Sequence, residues 1–318
     1  MNLKRCFTLL LFVQLFMGSM FACSALQKGH RDVIEKSFEV EQGGTLTVDS
    51  DRGSIAITSN TGNRVEVEII RTAHVGNKKR AEEMFDNFVL KFAHQGRDVT
   101  IHGENTVKRS SESWFGRKRR LSLKYIISVP KHYNLDLKTA GGSISAEDLE
   151  GDVLCRTSGG SLKFGDITGQ IEGKTSGGSI TLGNVDGEVD VHTSGGSIRI
   201  SRAKGSVIAK TSGGSISVDE VFGDIQARTS GGSITARLRE QPKADCRLTT
   251  SGGSVNVYLN EDTNARIDAK TSGGRVRTSL PITVSGTIGK RSLKGTLNEG
   301  GPELYLRTSG GSINIKEN

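Results

Sequence analysis

Residues 175–180 read TSGGSI, and the same six letters recur at 193, 211, 229 and 308. Close variants stand at 139 (TAGGSI), 157 (TSGGSL), 250 (TSGGSV) and 271 (TSGGRV). The Thr residues that open these motifs are 18 residues apart five times, then 21, 21 and 37. A flexible Gly/Ser linker has no reason to keep register, whereas a fixed period of this size marks a stacked repeat.

One 18-residue unit, numbered from its Thr, repeats its chemistry position by position. Position 6 is Ile144, Leu162, Ile180, Ile198 and Ile216; position 8 is Ala146, Phe164, Leu182, Ile200 and Val218. Position 11 is Leu149, Ile167, Val185, Ala203 and Val221, and position 13 is always Gly. Position 15 is Val153, Ile171, Val189, Val207 and Ile225; position 17 is Cys155, Gly173, Val191, Ala209 and Ala227. The alternation at 6/8 and at 15/17 is that of short strands. Glycines at 3, 4 and 13 mark corners, where Gly supplies φ > 0 or close backbone approach.

Each unit is therefore one coil of an all-β, single-stranded β-helix (β-solenoid). Right-handed winding is adopted as the more frequent choice. A coil of this size cannot offset its own ordering entropy, so stacking is obligatory. Continuing the alternation turns the Thr inward, beside the corner, and leaves Ser at positions 2 and 5 facing water.

Residues 38–138 carry strand patterns without the period and are expected to cap the N-terminal end of a solenoid spanning 139–318. GGTLTVDSDRGSIAI (43–57) reads as a degenerate coil, VEVEII (65–70) alternates, and NKKRAEEMFDNF (77–88) is the one short helix. Strands are expected at 88–94, 98–103 and 121–130. The chain ends just inside a coil, at TSGGSINIKEN, which reads as an open end able to pair with another chain.

The first residues, MNLKRCFTLLLFVQLFMGSMFACSALQ, place Lys4 and Arg5 before an apolar stretch too short to span a bilayer. Residues 1–22 read as a secretory signal peptide. MFAC resembles a lipobox, making Cys23 the lipidation candidate and 23–37 a tether. Ordinary cleavage nearby, for instance after Ala25, is the alternative. The net charge of +8 falls by two when Lys4 and Arg5 are removed and stays positive, which suits an envelope rich in anionic polymers. Cys155 and Cys246 both point inward, five coils apart, far beyond disulfide reach, so both are expected as free, buried thiols.

GGTLTVDSDRGSIAI, the YIISVPKHYNLDLKTAGGSISAEDLEGDV transition and the TSGGSI coils that follow it carry a further likeness. Over these the chain resembles the bacterial domain of unknown function 4097 family, which carries an adhesin label. The resemblance implies a β-helix and a cell-envelope setting, and it brings no catalytic residues.

No nucleophile elbow, phosphate loop, calcium-binding repeat or His ligand spacing is present, so the chain reads as non-enzymatic and without cofactor or metal. Asp152, Glu188 and Asp224 share position 14 only on alternate coils, which reads as a solvated face rather than a glycan-cleaving one. Two features suit binding. Position 18 is basic in Lys138, Arg156, Lys174, His192, Lys210, Arg228 and Lys270, with Thr249 and Arg307 in the same register. Stacking makes these a column in which neighbours repel by about 0.8 kcal/mol in water. Nearby acids such as Glu172 and Asp190 can offset that. KRSSESWFGRKRR (108–120) surrounds Trp114 and Phe115 with bases, including Arg117, Lys118, Arg119 and Arg120, a loop suited to a membrane surface or anionic glycan.

The expected role is that of an exported, lipid-anchored binding, adhesin-like or structural module of the cell envelope, periplasmic or surface-exposed. Its partner would be an envelope polyanion, glycan or protein, with nucleic acid ranked below these. End-to-end self-assembly as an envelope scaffold is the alternative, and a glycan-processing enzyme comes third.

Overall fold

A computed structural model describes residues 29–106, 121–284 and 289–318. The signal segment 1–22, Cys23 and the loop residues Trp114, Phe115, Arg117, Lys118, Arg119 and Arg120 lie outside them. In the described residues the repeat is a stack of coils. Each coil gives one strand to each of two long sheets, and the apolar core lies between them. The strand over positions 15 to 1, such as Val153–Thr157, pairs in parallel with the next coil at an offset of 18, Cys155 opposite Gly173 and Thr157 opposite Thr175. Ile180–Asp186 does the same in the other sheet, with Ile180 opposite Ile198.

The motif's letters acquire specific work. Every repeat Thr is buried. Its hydroxyl donates to the carbonyl of the second Gly in the coil before it, as Thr193 Oγ1 does to Gly178 O at 2.7 Å. The same oxygen accepts from its own corner, Gly196 N at 3.3 Å. Ser at position 5 faces outward but is not idle: its Oγ accepts the backbone N–H of the next coil's Ser, as Ser179 Oγ does from Ser197 N at 3.3 Å. The Gly-Gly pair does not use positive φ. A Cβ on Gly178 would instead fall well inside contact with the carbonyl oxygen of Gly160. Close approach of stacked corners therefore explains the second Gly of the pair, and left-handed backbone explains neither.

Cys155 and Cys246 are free and buried, as their register requires. Burial pushes the Cys246 thiol up to about 11, and the Cys155 thiol further in the same direction.

At the N-terminal end, residues 43–60 form a true coil. Thr45–Ser50 and Ser54–Asn60 pair in parallel with Asn134–Thr139 and Ile144–Ala146. Ser50 takes the Thr position, opposite Thr139, and Thr139 Oγ1 donates to Gly53 O at 2.9 Å. The chain then leaves the stack and returns to it. Arg64–Ala73, the helix Lys78–Asp86, Phe88–Gln95, Asp98–Asn105 and Leu121–Pro130 form the cap. The segment expected as a tether up to residue 37 is strand from His30 onward. His30–Glu39 runs antiparallel to Arg64–Ala73 and forms the sheet edge, where its alternating charges discourage further pairing.

The C-terminal end corrects the expectation of an open terminus. Glu303–Thr308 does not stack after the coil of Thr271. It inserts between Cys246–Thr249 and Ala265–Thr271, parallel to both. Ile313–Glu317 likewise lies between Val255–Leu259 and Val276–Thr278. The order of coils in space is thus Thr250, Thr308, Thr271. The edge beyond is covered on one sheet by the antiparallel strands Ser292–Leu297 and Ile282–Val284. The basis for end-to-end stacking through TSGGSINIKEN is removed, because that strand is already paired on both sides.

Candidate polyanion-binding face

Position 18 lies between two buried neighbours, the small residue at 17 and the Thr at 1, so strand alternation turns it outward. In-register stacking then forces a column. Lys138 lies opposite Arg156, Arg156 opposite Lys174, Lys174 opposite His192, His192 opposite Lys210, and Lys210 opposite Arg228. Thr249 follows, then Arg307, and only then Lys270. Six of the seven predicted bases are therefore contiguous, and Lys270 is separated from them by the inserted strand.

The charge along the column is uneven. At its start Lys138 pairs with Asp49 at 3.0 Å. Glu172, on the same strand face two residues before Lys174, receives Lys174 at 2.7 Å and Arg156 at 3.3 Å. The hydrogen bond from Lys174, then that from Arg156, holds its carboxyl below the usual range. His192 meets Asp190 at 2.6 Å, and Arg307 meets Asp268 at 2.7 Å. At the equivalent places beside Lys210 and Arg228 stand Ile208 and Gln226, and no ion pair is made by either base among the described residues. The uncompensated charge is thus concentrated on two adjacent rungs.

A shallow groove of about 500 Å³ runs along this part of the column. Lys174, His192, Lys210 and Arg228 line it together with the exposed Ser194, Ser212 and Ser230 of position 2. Sequence reasoning passed over these serines as water-facing. Their recurrence one residue after the inward Thr, beside the basic position, was the available signal. The groove offers cationic donors and hydroxyls at a rise of about 4.8 Å per rung.

Two of the three position-14 acids, Asp152 and Asp224, serve the backbone. Asp152 Oδ1 accepts Gln170 N at 3.0 Å, and Asp224 Oδ1 accepts Lys243 N and Ala244 N at 2.9 and 2.8 Å. These carboxylates close corners. Among the described residues no group of three or more His, Cys, Asp or Glu side chains could hold a metal ion, and no helix is long and apolar enough to cross a membrane.

A family model described as Toastrack DUF4097 matches residues 44–316. No curated protein matches the chain. Among solved structures, a candidate lipid binding protein from Parabacteroides distasonis is 14% identical with a TM-score of 0.41, the alignment covering 90% of this chain and 96% of that one. A candidate adhesin from Bacteroides fragilis is 13% identical with a TM-score of 0.35, covering 90% and 97%. A candidate cell adhesion protein from Clostridium sporogenes is 12% identical with a TM-score of 0.23, covering 90% and 100%. At these scores the likenesses bear on neither ligand nor partner.

Proposed function

Because the chain belongs to the Toastrack DUF4097 family, whose designation names no reaction, we propose that it is a non-enzymatic, adhesin-like binding module of the cell envelope. Its basic column engages a polyanion. The observation that carries this reading is the pair of adjacent, uncompensated rungs at Lys210 and Arg228, set in a hydroxyl-lined groove. A linear polyanion laid along the column meets one cation per coil, and its binding is expected to weaken with salt because exposed charges are screened.

Export and anchoring at Cys23 belong to the same proposal and rest on the leader-like residues 1–22 and the MFAC motif. The loop around Trp114 and Phe115, with Arg117, Lys118, Arg119 and Arg120, is a second surface for a membrane or anionic glycan on its composition alone.

The test reverses Lys174, Lys210 and Arg228 to Glu. Retention on a polyanionic column at moderate salt should be abolished while the thermal unfolding curve is kept. Unchanged retention would overturn the column as the binding face. Mass spectrometry of envelope-extracted protein should find an acylated N-terminal Cys23, absent after Cys23→Ser.

A further inference from the structure

The last coil in the stack departs from the repeat where stacking no longer constrains it. Position 5 is Ser in every other T-x-G-G motif, because its hydroxyl serves the next coil's backbone. The final acceptor in this series is Ser312 Oγ, which takes Arg275 N at 3.2 Å. Among the described residues nothing stacks beyond Arg275 in that ladder, so position 5 is released, and the residue placed there is a base. Arg277 follows two residues on, on the outward face of Val276–Thr278.

The chain then comes back across this corner. Val276 N donates to Lys290 O at 3.1 Å and Thr271 N to Arg291 O at 2.9 Å. This return brings Lys290 and Arg291 beside Arg275 and Arg277. Together with the Gly273–Gly274 backbone and Ser312 they line a cavity of about 440 Å³. Among the described residues no carboxylate and no apolar side chain is in the lining. None of the four bases makes an ion pair within the described residues, and the sequence from 270 to 294 holds six bases and no acid. Most of the basic column, by contrast, brings its own acids.

Bases gathered in one concavity without a counter-charge repel one another unless an anion arrives from outside. Three guanidinium forks favour an oxyanion held bidentately over a point charge. We propose that this C-terminal cap is a binding site for a phosphoryl group, carried by a soluble phosphorylated molecule or by a phospholipid headgroup. It is separate from the basic column and stands or falls without it.

Calorimetric titration of the purified full chain with inorganic pyrophosphate at low salt should show saturable binding. The double variant Arg275→Ser/Arg277→Asn places in the last coil the residues that Ser312 and Asn314 carry in the coil beside it, so the fold is expected to hold. It should bind at least about tenfold more weakly, since charged hydrogen bonds are lost. Arg291→Gln, read in the same way, serves if the double variant does not fold. Lys163→Gln, at an exposed base that lines neither this cavity nor the column's groove, should leave pyrophosphate affinity unchanged. Cosedimentation with phosphatidylglycerol vesicles against phosphatidylcholine vesicles distinguishes the sources. Loss of phosphatidylglycerol binding in the double variant assigns a headgroup. Pyrophosphate binding without that loss assigns a soluble ligand. Absence of saturable binding to both probes, or a double variant as tight as the parent, overturns the proposal.

Discussion

Single residues in this fold are selected by what lies one coil away. Gly178 must be Gly because the Gly160 carbonyl occupies the place of its Cβ, while a Cβ on Gly141 would meet nothing within 4 Å. Gly178→Ala is therefore expected to cost about 2–3 kcal/mol through overpacking, and Gly141→Ala less than about 0.5 kcal/mol, as at an ordinary surface site. Urea unfolding midpoints of the two variants check the contrast; equal midpoints would refute the stacking argument.

The buried thiols carry a pH signature. Their folded pKa values lie above the ordinary thiol value of 9.0, so the folded state keeps protons that the unfolded chain gives up. Their contribution is complete below pH 9 and declines as pH rises from there through about 11, where Cys246 titrates. Cys155→Ala/Cys246→Ala should flatten that part of the stability–pH curve relative to the parent, measured by urea midpoints at pH 7.5 and 10.5.

At the scale of the strand and coil, charge from Lys174 to Arg228 is set by the residue two places before each position. Glu172 neutralises its rung and Asp190 sets a carboxylate beside His192, whereas Ile208 and Gln226 bring no charge. If the column binds polyanions, Glu172→Gln/Asp190→Asn should lengthen the stretch of free cation and raise the salt needed to elute the protein from a polyanionic column. Unchanged or earlier elution would contradict the reading.

The coil, its inward Thr, the cap's strands from Arg64 onward and its helix, and the column from Lys138 to Arg228 were legible in the sequence, whereas the edge strand His30–Glu39 read as a tether. Periodicity fixes position within a turn, and neighbouring turns are also neighbours in the chain. The coil order at the C-terminal end was not legible. Thr250, Thr271 and Thr308 open nearly identical motifs, and parallel pairing of such motifs is equally favourable in either order. The choice is made by the strand Ser292–Leu297, which occupies the outer side of Ala265–Thr271 and so leaves its inner side to Glu303–Thr308. The basic cap was hidden for the same reason: Arg275 and Arg277 meet Lys290 and Arg291 only because the chain doubles back. An acid-free run from 270 to 294 was its one linear trace.

Over the whole molecule both ends are closed by excursions of the chain. The coil of Ser50 is rejoined by Asn134–Thr139, and the coil of Thr250 by Glu303–Thr308. Truncation after residue 302 removes Glu303–Thr308 and Ile313–Glu317, leaving Cys246–Thr249 and Val255–Leu259 with unpaired edges. Sedimentation velocity should then show concentration-dependent association of the truncated chain and a single monomeric species for the full chain. Association of the full chain alone would point to a different adhesive surface.

Such closures also divide the labour of folding. The central coils pair across 18 residues, while the end coils pair across 89 and 58. Loop-closure entropy grows with that separation, so the middle turns are expected to form first and the two ends to lock afterwards. The caps grip only the outermost rungs. Excision of Thr193–Lys210 would remove one turn and leave His192 running directly into Thr211, with both caps still in register. Length in this protein is a countable quantity, changeable in whole turns of about 4.8 Å while the ends are inherited intact.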